Sequence, residues 1–198
     1  MQNAEFDIVQ GQKTVAHINL NVPGKHNIYN ALAAYIVCSH LGVSNEDFEK
    51  SITEFKGAHR RFEILLEKDG ITVADDFAHH PTEIESTLEA ASKMGFKRVI
   101  AVFQPHTFSR TAMFKEEFTK ALSIADEVIV SDILPVRETN TYGVKSTDLT
   151  DRIQTSHYIP TFEEICEYVV KNARGGDLIL TLGGGNIYKC ANMISENL

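Results

Sequence analysis

Three short runs of continuous apolar residues limit the possible folds of this chain more than any other feature. They occupy residues 99–103, 128–130 and 178–180, and stretches with helical spacing lie between them. A strand that is apolar at consecutive positions is buried on both faces, as in sheets covered by helices on both sides. Alternation of such strands with helices implies right-handed crossovers. The sequence therefore predicts an α/β fold with a doubly wound, mostly parallel sheet of the Rossmann-like type.

The hydrophobic pattern changes near residue 57, which predicts two domains, 1–56 and 57–198. Residues 5–22 alternate around Gly11 as a strand pair, Pro23 breaks the pattern, and helices 27–41 and 44–55 follow. Two strands and two helices bury too little surface for an independent core. We therefore expect the first part to be the end of a larger upstream domain, joined by a linker at 56–60.

The second part has the elements of a complete domain. The predicted elements are strands 62–67 and 71–74, helix 82–94, strand 98–104, helix 109–124, strand 127–133, a short helix from Ser146, helix 161–173, strand 177–182 and helix 186–196.

Composition excludes several classes of function. The 198 residues carry a net charge of −8, which argues against general nucleic-acid binding. The sequence has no apolar run of membrane-spanning length and no signal-peptide pattern at its start. Three widely spaced cysteines are typical of a reduced, cytoplasmic protein. The densest cluster of cations is residues 56–61, where an anionic ligand could bind.

The run 75–84 opens with two carboxylates and two imidazoles, at 75, 76, 79 and 80, directly after a predicted strand and before a predicted helix. Open α/β sheets bind ligands at the carboxyl ends of their strands, so this segment predicts a binding site. Alternatively, Asp75 or Asp76 caps the helix and one histidine is merely solvated. A metal site is the less favoured alternative, because adjacent histidines in an extended turn point in different directions.

A second polar group follows the strand at 98–104. His106 and Arg110 together would hold a small carboxylate, with the arginine using its planar fork. The structural alternative is that Thr107 or Ser109 caps the helix and the arginine is solvated. The Gly183–Gly185 run could approach a ligand closely or offer backbone N–H groups to an anion, and a tight turn explains it equally well.

Asn27 and Asn30 lie one turn apart at a predicted helix start. Their carboxamides can pair with the edge of an adenine, although Asn27 could equally be a helix cap. The sequence contains no GxxxxGK[ST] motif, so nucleotide phosphates would not be bound by a P-loop in this chain.

Four motifs occur in the order found in the Mur ligase family, which this chain resembles over nearly its whole length. They are His26-Asn27-x-x-Asn30-Ala-Leu-Ala-Ala, Gly57-Ala58-His59-Arg60-Arg61-Phe62-Glu63, Asp75-Asp76-Phe77-Ala78-His79-His80-Pro81-Thr82-Glu83 and Gln104-Pro105-His106-x-x-x-Arg110-Thr111. The particular residues in these motifs are similar to those of the alanine-adding members of the family. The family's UDP-binding domain and most of its ATPase central domain are not in this sequence.

The resemblance implies an ATP-dependent, amide-bond-forming ligase of peptidoglycan precursor synthesis. ATP would phosphorylate the carboxylate of UDP-N-acetylmuramate, and the amine of L-alanine would attack the acyl phosphate. Mg²⁺ is implied for the full-length enzyme, with ligands outside this chain, so the chain alone would be inactive.

The resemblance also assigns roles to individual residues. Those implied for ATP are Asn27, Asn30, Arg61 and Asp76. Those implied for the amino acid are Phe77, His79, His106 and Arg110, with His79 and Arg110 closest to the chemistry. Phe77 stands where family members often have a tyrosine, so a hydroxyl contact is not implied there.

Two other functions fit the motifs. One is a muropeptide-recycling ligase that adds a peptide to UDP-N-acetylmuramate, which would need room for the peptide. The other is a stand-alone nucleotide-binding module, which a phosphate-binding loop encoded upstream would exclude.

Overall fold

The chain forms two compact units, Met1–Ala58 and His59–Leu198, and each is described by itself. This computed structural model describes residues 4–22 and 24–198. The predicted break at Pro23 lies outside the described residues. Within the described part of the chain, no helix combines the length and apolarity that a membrane span requires.

The first unit is a β-hairpin followed by two helices. Strands β1 (Ala4–Gln10) and β2 (Lys13–Leu20) pair antiparallel, and helices α1 (Lys25–His40) and α2 (Asn45–Glu54) follow. Ser44 caps α2 by accepting a hydrogen bond from the Asp47 amide. Apolar side chains of the hairpin and both helices form a small cluster, which includes Ile18, Leu20 and Phe48.

The second unit contains six strands and six helices. Its elements are β3 (Glu63–Lys68), β4 (Ile71–Asp76), α3 (Pro81–Ser92), β5 (Arg98–Phe103), α4 (Phe108–Met113), α5 (Lys115–Leu122), β6 (Glu127–Val130), α6 (Thr147–Thr150), β7 (Ser156–Tyr158), α7 (Phe162–Asn172), β8 (Asp177–Leu182) and α8 (Tyr188–Asn197). The sheet order is β3-β4-β8-β5-β6-β7, and only β3 is antiparallel to its neighbour. The predicted doubly wound, mostly parallel sheet is confirmed.

Successive residues of the central strands point into two separate cores. On β5, Ala101 and Phe103 join the core beneath α3 and α5, whereas Ile100 and Val102 join the core beneath α7 and α8. All four side chains are at most 2% exposed. Helices on both faces therefore explain why these strands are apolar at every position.

Two predicted elements differ from the structure, and one observed strand was not predicted. The single helix predicted over 109–124 is two helices, because the backbone leaves helical geometry at Phe114, whose ring packs on that of His80. The strand predicted over 127–133 ends at Val130, where the chain turns into a long loop. The edge strand β7 was not predicted, since three residues are too few to show a period.

Candidate functional site

The site lies at the carboxyl ends of β4, β8 and β5, which are neighbours in the sheet. The chain leaves β4 and β5 toward helices on one face, and leaves β8 toward α8 on the other face. Strand ends that diverge to opposite faces leave a crevice, which is where open α/β sheets bind ligands. Backbone bonds continue past the strands, from Gly183 to Asp76 and from Gln104 to Leu182.

The side chain of Arg60 connects the end of β4 to the glycine turn after β8. The sequence motifs assign a role to Arg61 and do not identify Arg60. Its Nε donates to Asp75 Oδ2 at 2.7 Å, and its two terminal nitrogens donate to the carbonyl oxygens of Gly185 and Gly183 at 2.9 and 2.8 Å. The Arg60 side chain is 11% exposed and that of Asp75 is 1% exposed. All three guanidinium nitrogens of Arg60 therefore bond within the fold.

The same guanidinium also fixes an aromatic side chain of the site. It lies 5.0 Å from the ring centres of both Phe77 and Tyr188. Arg61, in contrast, is exposed, and its guanidinium is 5.6 Å from the Phe77 ring. The two adjacent arginines thus differ, with Arg60 structural and Arg61 available to an anion.

Asp76 is buried, and its carboxylate accepts hydrogen bonds from two backbone amides. One carboxylate oxygen accepts the Phe62 amide at 2.8 Å and the other accepts the Ala78 amide at 2.7 Å. Burial raises the pKa of Asp76, while the two amides and Arg61 act in the opposite direction. A ligand hydroxyl would reach only the remaining lone pairs of this carboxylate.

Helix α3 begins with a reciprocal cap that orients both histidines. Glu83 accepts the amides of His79 and His80 at 2.9 and 3.2 Å, and the His80 ring accepts the Thr82 amide at 3.4 Å. Burial acts to raise the pKa of Glu83, but the two amides outweigh it and lower that pKa. The cap is therefore His80, and neither Asp75 nor Asp76 fills this position. His79 remains facing the crevice, with Nδ1 3.0 Å from the Phe77 carbonyl oxygen.

His106 and Arg110 come together with His79 at the end of β5. The rings of His79 and His106 are 6.0 Å apart, and the charge of Arg110 acts on His106. Burial, Arg110 and His79 lower the pKa of His106 below 6.5, so this imidazole is neutral at pH 7. Thr107 does cap α4, but its hydroxyl accepts from the Arg110 amide at a long 3.4 Å.

Three buried polar atoms lack a hydrogen-bond partner among the described residues, and all three lie here. They are His106 Nδ1, Arg110 Nη1 and Gln104 Oε1. Buried polar atoms are normally bonded, so orphaned ones beside a crevice make this the candidate place for a ligand. Together they offer a charged donor from Arg110, an acceptor oxygen from Gln104, and a His106 nitrogen that donates or accepts according to its tautomer.

The glycine run is required by neighbouring side chains. A Cβ on Gly184 would lie 3.0 Å from His79 Cγ, and one on Gly185 would lie 2.6 Å from Gln104 Oε1. The groups that approach the glycines belong to the protein itself, as in a tight turn, and close approach of a ligand stays a prediction. The backbone turn thereby supports the ring of His79 and the amide of Gln104 from behind.

A cavity of about 300 Å³ lies farther along the sheet, at the ends of β6 and β7. Its polar walls bond to each other: the Tyr158 hydroxyl donates to Asp132, and the Asn140 amide bonds to the backbone of Val144. The lining of this cavity has no orphaned buried atom among the described residues. The group formed by His79, His106 and Arg110 is therefore the better candidate for a ligand site.

Asn27 and Asn30 belong to the first unit, where Asn30 Nδ2 donates to Asn27 Oδ1 at 3.2 Å. Asn27 is inside α1, not at its cap, which is Gly24. The described residues contain no group of three or more His, Cys, Asp or Glu side chains placed to hold a metal ion.

Comparisons with known proteins identify relatives over nearly the whole chain. The family model "Mur ligase, glutamate ligase domain" matches residues 60–185. UDP-N-acetylmuramate–L-alanine ligase of Caldicellulosiruptor saccharolyticus is 48% identical over 197 residues, covering 97% of this chain and 43% of that protein. The ligase of the same name from Caldanaerobacter subterraneus is 47% identical, with 98% and 43% covered. The chain thus spans less than half the length of the curated relatives it matches.

Solved structures agree on the fold. The UDP-N-acetylmuramate-alanine ligase of Thermotoga maritima superposes with a TM-score of 0.79 at 27% identity, over 94% of this chain and 40% of that one. A murein peptide ligase of Psychrobacter arcticus gives a TM-score of 0.67 at 23% identity, over 98% and 41%, and at that identity supports the fold alone.

Proposed function

This chain belongs to the Mur ligase family, and we propose that it is the carboxyl-terminal part of an ATP-dependent ligase that joins L-alanine to UDP-N-acetylmuramate in cytoplasmic peptidoglycan precursor synthesis. Residues 1–56 would be the end of the ATPase central domain and 57–198 the carboxyl-terminal domain. The missing domains of the same protein would complete the site. The relatives at 47–48% identity, which carry this name, support the proposal.

The observation that carries the proposal is the orphaned pair His106 Nδ1 and Arg110 Nη1 beside His79. An α-amino acid brings a carboxylate for the fixed charge of Arg110 and an amine for the neutral imidazole of His106. Because His106 is neutral, it can accept a hydrogen bond from that amine without repelling it. Phe77, whose position is fixed by Arg60, would limit the size of the substrate side chain.

His79 is the group proposed to meet the reacting amine. Its Nδ1 lies against the Phe77 carbonyl, so that Nδ1 as donor leaves Nε2 as an acceptor. An acceptor at that position can orient the amine and take a proton from it as the new amide bond forms. Arg110 would hold the carboxylate end of the same small molecule, so that the amine has one orientation.

The proposed ATP residues fit unequally. Arg61 is an exposed cation suited to phosphate, and the exposed Asn30 amide suits an adenine edge with Asn27 beside it. Asp76 fits less well, because the fold already uses both of its oxygens. When bound, ATP would supply the phosphoryl group that activates the muramoyl carboxylate, with Mg²⁺ held outside this chain.

The test is Arg110→Ala in the full-length protein, measured by steady-state kinetics with each substrate varied in turn. Loss of a charge-assisted pair costs roughly 2–5 kcal/mol, which should raise the KM for L-alanine at least tenfold and leave that for ATP nearly unchanged. Arg110→Lys should restore part of the activity, because a point charge lacks the bidentate fork.

The matched control is Arg152→Ala, which removes an exposed arginine whose partner is Glu116. It should change neither KM. A raised KM for ATP with normal alanine dependence in Arg110→Ala would assign Arg110 to the nucleotide instead. Use of a peptide in place of L-alanine by the wild-type protein would replace this proposal with the recycling ligase.

A further inference from the structure

The loop that follows β6 returns to the amino end of α4 and is bonded to it along the backbone. His106 and Leu134 form a parallel bridge, the Thr107 amide donates to the Leu134 carbonyl at 2.9 Å, and the Leu134 amide donates to the Pro105 carbonyl at 2.9 Å. The segments after β5 and β6 are therefore paired beyond the ends of their strands. The position of His106 consequently depends on residues almost thirty positions later.

Glu138, in the same loop, holds Ser109 with both carboxylate oxygens. One oxygen accepts the Ser109 amide at 2.8 Å, and the other accepts the Ser109 hydroxyl. The Ser109 hydroxyl and then the Ser109 amide lower the pKa of Glu138, so it is ionised at neutral pH. Ser109 immediately precedes Arg110 and lies three residues after His106.

The backbone between these two site residues needs such support. Thr107 has a φ of 68°, in the left-handed region that residues with a β-branched side chain rarely adopt. Its hydroxyl caps α4 only at 3.4 Å, and a six-residue helix has little stability of its own. Strained residues persist where the surroundings over-determine them, and Leu134 and Glu138 provide that constraint.

We propose that Glu138 is a positioning residue of the amino-acid site, which acts through Ser109 to hold Arg110 and His106 with their orphaned nitrogens toward the crevice. This inference rests on the proposed function for the identity of the ligand. Its structural part, the effect of Glu138 on Arg110 and His106, does not depend on the ligand.

The kinetic test compares Glu138→Ala, Glu138→Gln and Ser109→Ala in the full-length protein. Glutamine has one acceptor oxygen and can hold one of the two Ser109 donors. We expect the KM for L-alanine to rise roughly tenfold in Glu138→Ala and roughly threefold in the other two variants, with that for ATP within about twofold of wild type. Adding Ser109→Ala to Glu138→Ala should cost little more, because the same interaction has already been removed.

The control is Glu116→Gln, which removes a surface carboxylate paired with Arg152 and should change neither KM. A merely structural role for Glu138 would lower the unfolding midpoint without separating alanine from ATP. Equal effects on both substrates, or additive effects of the Glu138 and Ser109 variants, would overturn the proposal.

A second measurement separates this inference from the proposed function. In NMR spectra of the 198-residue chain, Glu138→Ala should shift or broaden the side-chain signals of Arg110 and His106 and leave those of Arg152 unchanged. If the full-length protein does not use L-alanine, the proposed function fails, and the NMR result alone decides the positioning role. Unchanged Arg110 and His106 signals would refute that role whatever the substrate.

Discussion

At the scale of single residues, the charge state of His106 is the most direct consequence of the site's geometry. Burial, Arg110 and His79 all oppose its protonation, and Glu138 alone favours it. The unfolded chain would take up this proton near pH 6.5, whereas the folded chain takes it up only at lower pH. The contribution of His106 to the free energy of unfolding therefore falls as the pH falls below about 6.5.

We predict that NMR titration of the chain will give His106 a pKa below 6.5, and that Arg110→Gln will raise it by removing a nearby positive charge. Arg152→Gln, which changes an arginine elsewhere on the surface, should leave the titration unchanged. A His106 pKa that stays the same in Arg110→Gln would mean that the two side chains do not interact.

Arg60 yields a prediction about stability. Its replacement by alanine leaves Asp75, 1% exposed, without its charged partner, and breaking a buried pair costs about 3–5 kcal/mol. Arg60→Lys should recover only part of this, because one ammonium cannot reach Asp75 and both glycine carbonyls together. The measurement is urea denaturation, with Arg152→Ala as control, for which a change of at most about 1 kcal/mol is expected. A loss of similar size in both variants would contradict the structural role of Arg60.

The sequence predicted that His79, His106 and Arg110 lie at one edge of the sheet, and they do lie together there, because the carboxyl ends of parallel strands meet at one edge. It could not separate Arg60 from Arg61, since adjacent residues have the same local signal and only the positions of Asp75 and the glycine carbonyls distinguish them. Glu138 gave no signal at all, because its role depends on where a long loop returns. The roles of individual residues toward ligands stay predictions.

At the scale of elements, the glycine turn between β8 and α8 supports two side chains, His79 after β4 and Gln104 after β5. We predict that Gly185→Ala will destabilise the chain by about 1–3 kcal/mol, because its Cβ would overlap Leu134 Cδ2. Gly184→Ala should instead press on the His79 ring, at 3.0 Å from Cγ.

The two glycine variants serve as controls for each other. In NMR spectra, the Leu134 methyl signals should move in Gly185→Ala and the His79 ring signals in Gly184→Ala. Identical spectra of the two variants would mean that the turn moves as a whole and does not support each side chain separately.

The sequence predicted the starts of two elements well, because neighbouring residues determine them. Strand β8 and helix α3 begin within one residue of prediction, since an apolar run and Pro81 mark them. The break at Phe114 did not follow, because residues 109–124 keep helical spacing through it and only the packing of Phe114 on His80 shows the interruption.

At the scale of the whole chain, the two units differ greatly in the cores they contain. The second unit has two large buried clusters, one on each face of its sheet, whereas the described part of the first unit has a single small one. We predict that a fragment of residues 59–198 folds alone and melts within roughly 5 °C of the main transition of the whole chain. A fragment of residues 1–58 should show much less ordered structure by circular dichroism. An unfolded 59–198 fragment would show that the first unit is required for the fold of the second.

Arg60 is also almost the first residue of the second unit, two positions into it, and its own carbonyl accepts the Phe77 amide at 2.8 Å. The chain therefore enters this unit through the crevice itself. A mechanical load applied at His59 would be carried first by the bonds of Arg60 to Asp75, Gly183 and Gly185, before it reached the ladder between β3 and β4. Tension on the connecting segment would therefore act first on residues of the crevice.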